Sequence, residues 1–248
     1  MKRLLLTLMA LFTGTHLFAQ KIEISAQAYS GLFHFGGKSA TASSTVVQSS
    51  ITGDPNNYTN NPYGNRNAFS YGIAAQVQAV SKSGFIFGLQ AGYEFLQSKV
   101  NIGQYASAVY YDPNVNYIAP AHPDFTVTGH ANLENRFINL NPYIGYRLQL
   151  QKVNLDILPG IDVGFNLSTY DTGTVKDNDD IVYTIDRKIN NTPTDVRLRF
   201  GLAAAYNQFG ITVSYAHGLT NYESNVVSDT KFEAHSELIR FGISCQLL

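Results

Sequence analysis

The stretch VNLDILPGIDVGFNL, residues 153–167, decides the fold. Every odd position is apolar: Val153, Leu155, Ile157, Pro159, Ile161, Val163, Phe165 and Leu167. The even positions are Asn154, Asp156, Leu158, Gly160, Asp162, Gly164 and Asn166, which are mostly polar or small. Successive side chains of a strand point to opposite faces, so this period of two describes a strand with one apolar face. A helix would scatter the same residues around its circumference. The run is also too long for an ordinary globular strand of about 5–6 residues, whereas a membrane-crossing strand needs about 9–11.

Seven further segments repeat the pattern. Strands are expected at 22–35, 68–81 (Phe69, Tyr71, Ile73, Ala75 and Val77 on one face) and 85–101 (Phe85, Phe87, Leu89, Ala91, Tyr93, Phe95). Others are expected at 131–149 (Ile138 to Leu148 on even positions), 194–206, 210–220 and 232–248. Short turns fall at Lys82–Gly84, Gln149–Lys152 and Asn207–Phe209, and long polar segments at 36–67, 102–130, 171–193 and 221–231. Short turns at one end and long loops at the other are the mark of an outer-membrane barrel. The expected fold is therefore all-β: an eight-stranded antiparallel transmembrane β-barrel with short periplasmic turns and long extracellular loops. A soluble sandwich has no need of such strands or of so one-sided a set of connections.

Composition agrees. Only 14% of the 248 residues are charged, against about 25% in ordinary soluble domains. Tyr (16) and Phe (15) are abundant, which argues against disorder. A net charge of -1 with no long basic run argues against nucleic acid as a partner. Lys2 and Arg3, the apolar run Leu4–Phe12 and the small Ala19 have the layout of a secretory signal peptide, although Leu17 replaces the usual small residue. The expected division is a signal peptide at 1–19 and a barrel domain at 20–248. Cys245 is the single cysteine, so neither an intrachain disulfide nor a cysteine metal cluster is available, and a lipoprotein anchor after the cut is not expected.

The Phe-Ala-Gln signal end, the eight alternating strands, NRFINLNPYIGYRL at 135–148 and YNQFGITVSYAHGLTN at 206–221 resemble the Bacteroidota-type outer-membrane β-barrel family that includes PorT. The resemblance spans the whole mature chain. It implies an outer-membrane barrel of about eight strands with no enzymatic activity, and a link to type IX secretion.

Strand parity turns Glu23, Glu94, Asp156 and Asp162 inward, together with Arg147, Arg197, Arg199 and Arg240. An eight-stranded barrel has an interior only wide enough for its own side chains, and buried charges persist there when paired. The expected lumen is a structural salt-bridge plug. A narrow ion path is the alternative. A lipid A-modifying enzyme is a third reading. His217 and His235 flank the last long loop, and Ser236 and Glu237 follow, but parity separates Ser236 from an outward His235. His34, His217 and His235 could hold a metal, or lie near lipopolysaccharide phosphates as ordinary interfacial residues. His122 and His130 are the other histidines after the signal. The loops carry TGDPNNYTNNPYGNRN at 52–67, several tyrosines at 105–117, and KDNDD at 176–180, which lacks the ligand spacing of a calcium loop. The alternation from Ile181 to Ile185 reads as a strand above the membrane. Taken together, the expectation is a non-enzymatic membrane protein without cofactor or metal. Its partners would be outer-membrane lipid, lipopolysaccharide and a protein of a secretion or assembly complex.

Overall fold

A computed structural model describes residues 19–49, 56–107, 111–112, 117–118, 124–223 and 232–248. Among them lie thirteen strands. These are β1 (Ala19–Gly36), β2 (Ser43–Ser49), β3 (Asn56–Thr59), β4 (Arg66–Ser81), β5 (Phe85–Ser107), β6 (Tyr111–Asp112) and β7 (Tyr117–Ile118). They continue with β8 (Phe125–Leu150), β9 (Val153–Asp177), β10 (Val182–Ile189), β11 (Asp195–Tyr206), β12 (Phe209–Gly218) and β13 (His235–Gln246).

Eight of them close a ring in the order β1, β4, β5, β8, β9, β11, β12, β13, with every neighbouring pair antiparallel. The seam is the β1–β13 ladder, from Ser25↔Gln246 to Gly36↔His235. Closure leaves no unpaired edge around the ring, which hydrocarbon would penalise. Gln151–Lys152 and Asn207–Gln208 make two-residue turns, in which Gln151 and Asn207 hold φ of 46° and 53°. Gly84 closes the third short turn at φ 92°, a conformation open to glycine without cost.

The outward belt is apolar. Ile22, Ile73, Phe85, Phe87, Ile144, Phe165, Leu198, Phe200, Ile211, Phe241 and Ile243 all present their side chains away from the ring. Above this belt the outward face turns polar: Phe95 gives way to Gln97 and Lys99 on β5, and Ile138 to Arg136 and Glu134 on β8. The apolar residues then change sides. Leu96, Val100 and Ile102 on β5, and Phe137, Leu133, Ala131 and Val127 on β8, point inward and are buried. The period of two continues while its phase inverts, because water now lies outside and packing inside.

This inversion explains where the sequence reading falls short. The strands expected at 85–101, 131–149 and 153–167 run instead to Ser107, from Phe125 and to Asp177. Their upper parts lack the outward apolar series, which stops at the bilayer, and so carry no alternation of the kind that marks the lower parts as strands. The segment 36–67, expected as loop, contains β2, parallel to β5, and β3, antiparallel to β2. The alternation at Ile181–Ile185 falls in β10, which pairs with β9. The edges β3 and β10 meet through side chains: Asn57 Nδ2 donates to the Thr184 carbonyl at 2.9 Å, and the Arg187 guanidinium lies 4.7 Å over Tyr58. Strands β10, β9, β8, β5, β2 and β3 so wrap a second core of Val46, Val100, Ile102, Tyr105, Val127, Ala131, Val175 and Ile185. The signal segment read at 1–19 lies, apart from Ala19, outside the described residues, as does His122.

Candidate functional site: the charged lumen

Parity sends every second residue of each ring strand inside, and the inward series is rich in Gln, Asn, Asp, Glu and Arg. The eight charged residues named above separate into two clusters. Near the short turns, Arg147 on β8 is held by two acids at once. Its Nε and Nη2 donate to Asp156 at 2.7 and 2.8 Å, and its Nη1 and Nη2 to Glu23 at 2.8 Å each. The hairpin register sets Arg147 directly opposite Asp156, and ring closure brings Glu23 across the lumen. Such doubly bidentate geometry is the strongest an arginine can offer. Gln78 Nε2 donates to Glu23 at 2.8 Å, and the more exposed Lys21 ammonium lies 3.0 Å from the same carboxylate.

Higher up, Glu94, Asp162, Arg197, Arg199 and Arg240 meet. Arg240 Nη2 donates to Asp162 at 2.7 Å and also reaches Glu94, and Arg197 Nη2 donates to Glu94 at 2.9 Å. Arg199 Nη1 lies 3.5 Å from Asp162. The Tyr29 hydroxyl donates to Glu94 at 3.1 Å, while Arg240 lies over the Tyr29 ring at 5.7 Å. A sixth member is Asp195, fully buried, with the Arg197 Nε at 3.4 Å and the Ser236 hydroxyl donating at 3.0 Å. Sequence reasoning missed it, although Asp195, Arg197 and Arg199 share one parity on one strand. With Asp195 the cluster carries three acids and three bases, and is neutral.

The two clusters are joined by amides. Arg199 Nη1 donates to Gln90 Oε1 at 2.6 Å, Gln90 Nε2 to Gln27 at 2.8 Å, and Gln27 Nε2 to Gln76. Gln76 Nε2 then donates to Gln78 Oε1 at 2.9 Å, and Gln78 donates onward to Glu23. Every bond runs in the same sense, so each polarises the next. Inward glutamines at 76 and 78 on one strand were the available sign of this chain. Tyr143 braces it, its hydroxyl donating to Gln78 at 2.9 Å, and Gly88 makes room for that ring: a Cβ there would sit 2.2 Å from the phenol.

Above the charges the interior is apolar. Phe33, Phe35, Leu96, Leu133, Phe137 and Leu238 fill it, and Phe35 meets Phe33, Tyr63 and Tyr222 edge-on at 5.0–5.1 Å. Below them, cavities of about 50 and 20 Å³ flank the glutamine chain, the larger lined also by Asn207 and Gln208 of a short turn, with room for a few waters.

The outward histidines form a separate group. Glu237 lies between His34 (3.4 Å) and His217 (3.8 Å), and the His217 and His235 rings stack at 6.4 Å. His235 Nδ1 donates to the Thr220 carbonyl at 2.9 Å. Ser236 points inward to Asp195, away from His235, so these residues form no Ser–His–Glu arrangement. Among the described residues no group of three or more His, Cys, Asp or Glu is arranged to hold a metal ion. In the KDNDD turn, Asp177 accepts from the Asp179 and Ile181 amides at 2.9 Å each, which closes a turn around its carboxylate.

The outer membrane protein beta-barrel domain family matches residues 18–223. No curated protein matches the chain. Among solved structures, Ail, the attachment invasion locus protein of Yersinia pestis in complex with the heparin analogue sucrose octasulfate, is similar at 10% identity over 91% of this chain and 97% of that one, TM-score 0.29. Neisserial surface protein A is similar at 10% identity over 91% and 99%, TM-score 0.36. The outer membrane protease OmpT from Escherichia coli is similar at 12% identity over 91% and 96%, TM-score 0.32. The closed ring, its apolar belt and the family match over most of its length agree: this chain belongs to the outer membrane protein beta-barrel domain family and resides in the cell outer membrane.

Proposed function

We propose that the protein is a non-conducting, non-enzymatic anchor that acts through its extracellular surface. On this reading residues 1–19 are removed on export, and the barrel serves as a PorT-like accessory of a type IX secretion or assembly complex. The observation that carries the reading is the filled lumen: two neutralised charge clusters, a glutamine chain and an aromatic plug are stacked along its axis. Within the lumen, charges paired with one another leave no free acid or base for chemistry there. The ordered structure outside the bilayer, by contrast, is extensive, and the β2–β3–β10 wrap presents a firm surface to a partner. A narrow ion path is the second reading, favoured by the two polar cavities that flank the glutamine chain.

Two measurements test the proposal. Purified protein in planar bilayers is expected to show no steady single-channel current, and a selective current would replace the anchor with the channel. Crosslinking in intact outer membranes through lysines placed on β2, β3 and β10 is expected to capture one protein partner. Recovery of the barrel alone from every position would refute the interaction role.

A further inference from the structure

The polar outer wall holds an unbalanced pair of charges. The β4–β5 register sets Arg66 directly opposite Lys99, and both are turned outward. Like charges facing each other across a ladder are destabilising. No acid relieves them among the described residues: Arg66 Nη1 donates to the neutral Asn101 side chain at 2.8 Å, and Lys99 makes no ion pair. Glu134 on the same wall is already engaged, with Arg136 at 3.8 Å, Thr172 donating at 3.2 Å and Gln97 at 3.5 Å. His130, opposite Asn101, adds a third base, and partial burial together with the Lys99 charge holds its imidazole below the ordinary pKa.

The height of this patch points to its occupant. On β5 the last outward aromatic of the lipid belt is Phe95, and Lys99 lies four residues above it. At about 3.4 Å per residue and a tilt near 40°, that is roughly 10 Å above the belt. Arg136 stands directly opposite Phe95 in the β5–β8 ladder, its guanidinium 5.9 Å from the Phe95 ring and 5.4 Å from the Tyr170 ring. A cation beside two interfacial rings, with two cations that lack an acid partner four residues further up the neighbouring strands, matches a headgroup carrying more than one negative charge. The same headgroup must have an apolar portion that continues downward over Phe95 and Ile138.

We propose that Arg66, Lys99 and Arg136, with His130 at the edge, bind the phosphates of an anionic glycolipid of the outer leaflet. The site is independent of whether the lumen conducts or which protein the barrel contacts, and it rests only on placement in the outer membrane. The lipid supplies the negative charge that the wall lacks, and fixes the height of the barrel in the leaflet.

The test titrates the detergent-purified full chain with diphosphoryl lipid A. The Arg66→Gln/Lys99→Gln double variant is expected to lose at least tenfold in affinity and most of its salt dependence. A Lys38→Gln/Lys176→Gln control, which removes two exposed lysines elsewhere, is expected to stay within twofold. Should the double variant fail to fold, Lys99→Gln alone is expected to lose threefold or more. In lipid-free detergent Lys99→Gln is expected to unfold at a higher temperature than the native chain, and at a lower one once lipid A is added. Unchanged affinity in the variants would overturn the proposal. So would equal binding of fully dephosphorylated lipid A, and displacement by millimolar inorganic phosphate would assign the patch to a free anion instead.

Discussion

Asp162→Asn puts the buried network under the sharpest test. Asp162 is fully buried and faces three arginines, with Arg240 at 2.7 Å and Arg199 at 3.5 Å. Asparagine keeps the shape and one acceptor for Arg240, so the change removes charge and little else. The central cluster then holds two acids against three guanidiniums. One ion pair at about 4 Å in an effective dielectric near 20 is worth about 4 kcal/mol. Stranding a buried charge costs about 3–5 kcal/mol in measured cases, which agrees, and the retained acceptor argues for the lower end. With a urea slope near the upper part of ~1–3 kcal/mol/M, the unfolding midpoint should fall by about 1 M. The assay is urea unfolding in lipid vesicles, read by the heat-modifiable gel mobility of the folded barrel. Replacing Arg240 by Met in the same chain should recover much of the loss, because both charges of the pair then leave together. A midpoint unchanged within error, with altered ion selectivity in a bilayer, would refute the plug and establish a hydrated lumen.

Three further outcomes follow from the same geometry. Arg at Ile144, Val163, Phe200 or Ile243 should destabilise the barrel by about 2–4 kcal/mol in bilayer folding assays, and tolerance at all four would mean the faces are misassigned. Phe35→Ala removes a fully buried ring that packs against three others, and should cost about 3–5 kcal/mol in the same unfolding assay. Asp171, above the bilayer, accepts from the Thr59 amide at 2.7 Å and its hydroxyl at 2.8 Å, yet burial raises its carboxyl pKa above the ordinary value. A raised acid pKa makes its stabilisation complete below about 4, the unfolded value, and lost as pH rises through the folded one. The protection factor of the Thr59 amide, corrected for the intrinsic base-catalysed exchange rate, should therefore rise as pH is lowered toward about 4. Asp171→Asn should abolish that dependence, and a persisting dependence would place its origin elsewhere.

Local chemistry determined much of this protein. The parity of 153–167 and its seven counterparts set strand number, outward faces and the inward placement of Glu23, Glu94, Arg147, Asp156, Asp162, Arg197, Arg199 and Arg240, since a strand cannot turn one residue without turning its neighbours. The tertiary structure decided which of those charges meet. Glu23 reaches Arg147 only because the ring closes β1 on its far side, and Arg240 reaches Asp162 and Glu94 only across the lumen. Asp195 and the glutamine chain were hidden for the same reason: a lone polar residue is unremarkable along a strand and acquires its partners from strands distant in sequence. The folded wall above the bilayer was illegible because the rule that identified the strands reverses there. Below the interface the apolar side faces lipid, and above it the apolar side faces the core, so a reading that follows one phase ends where the solvent changes.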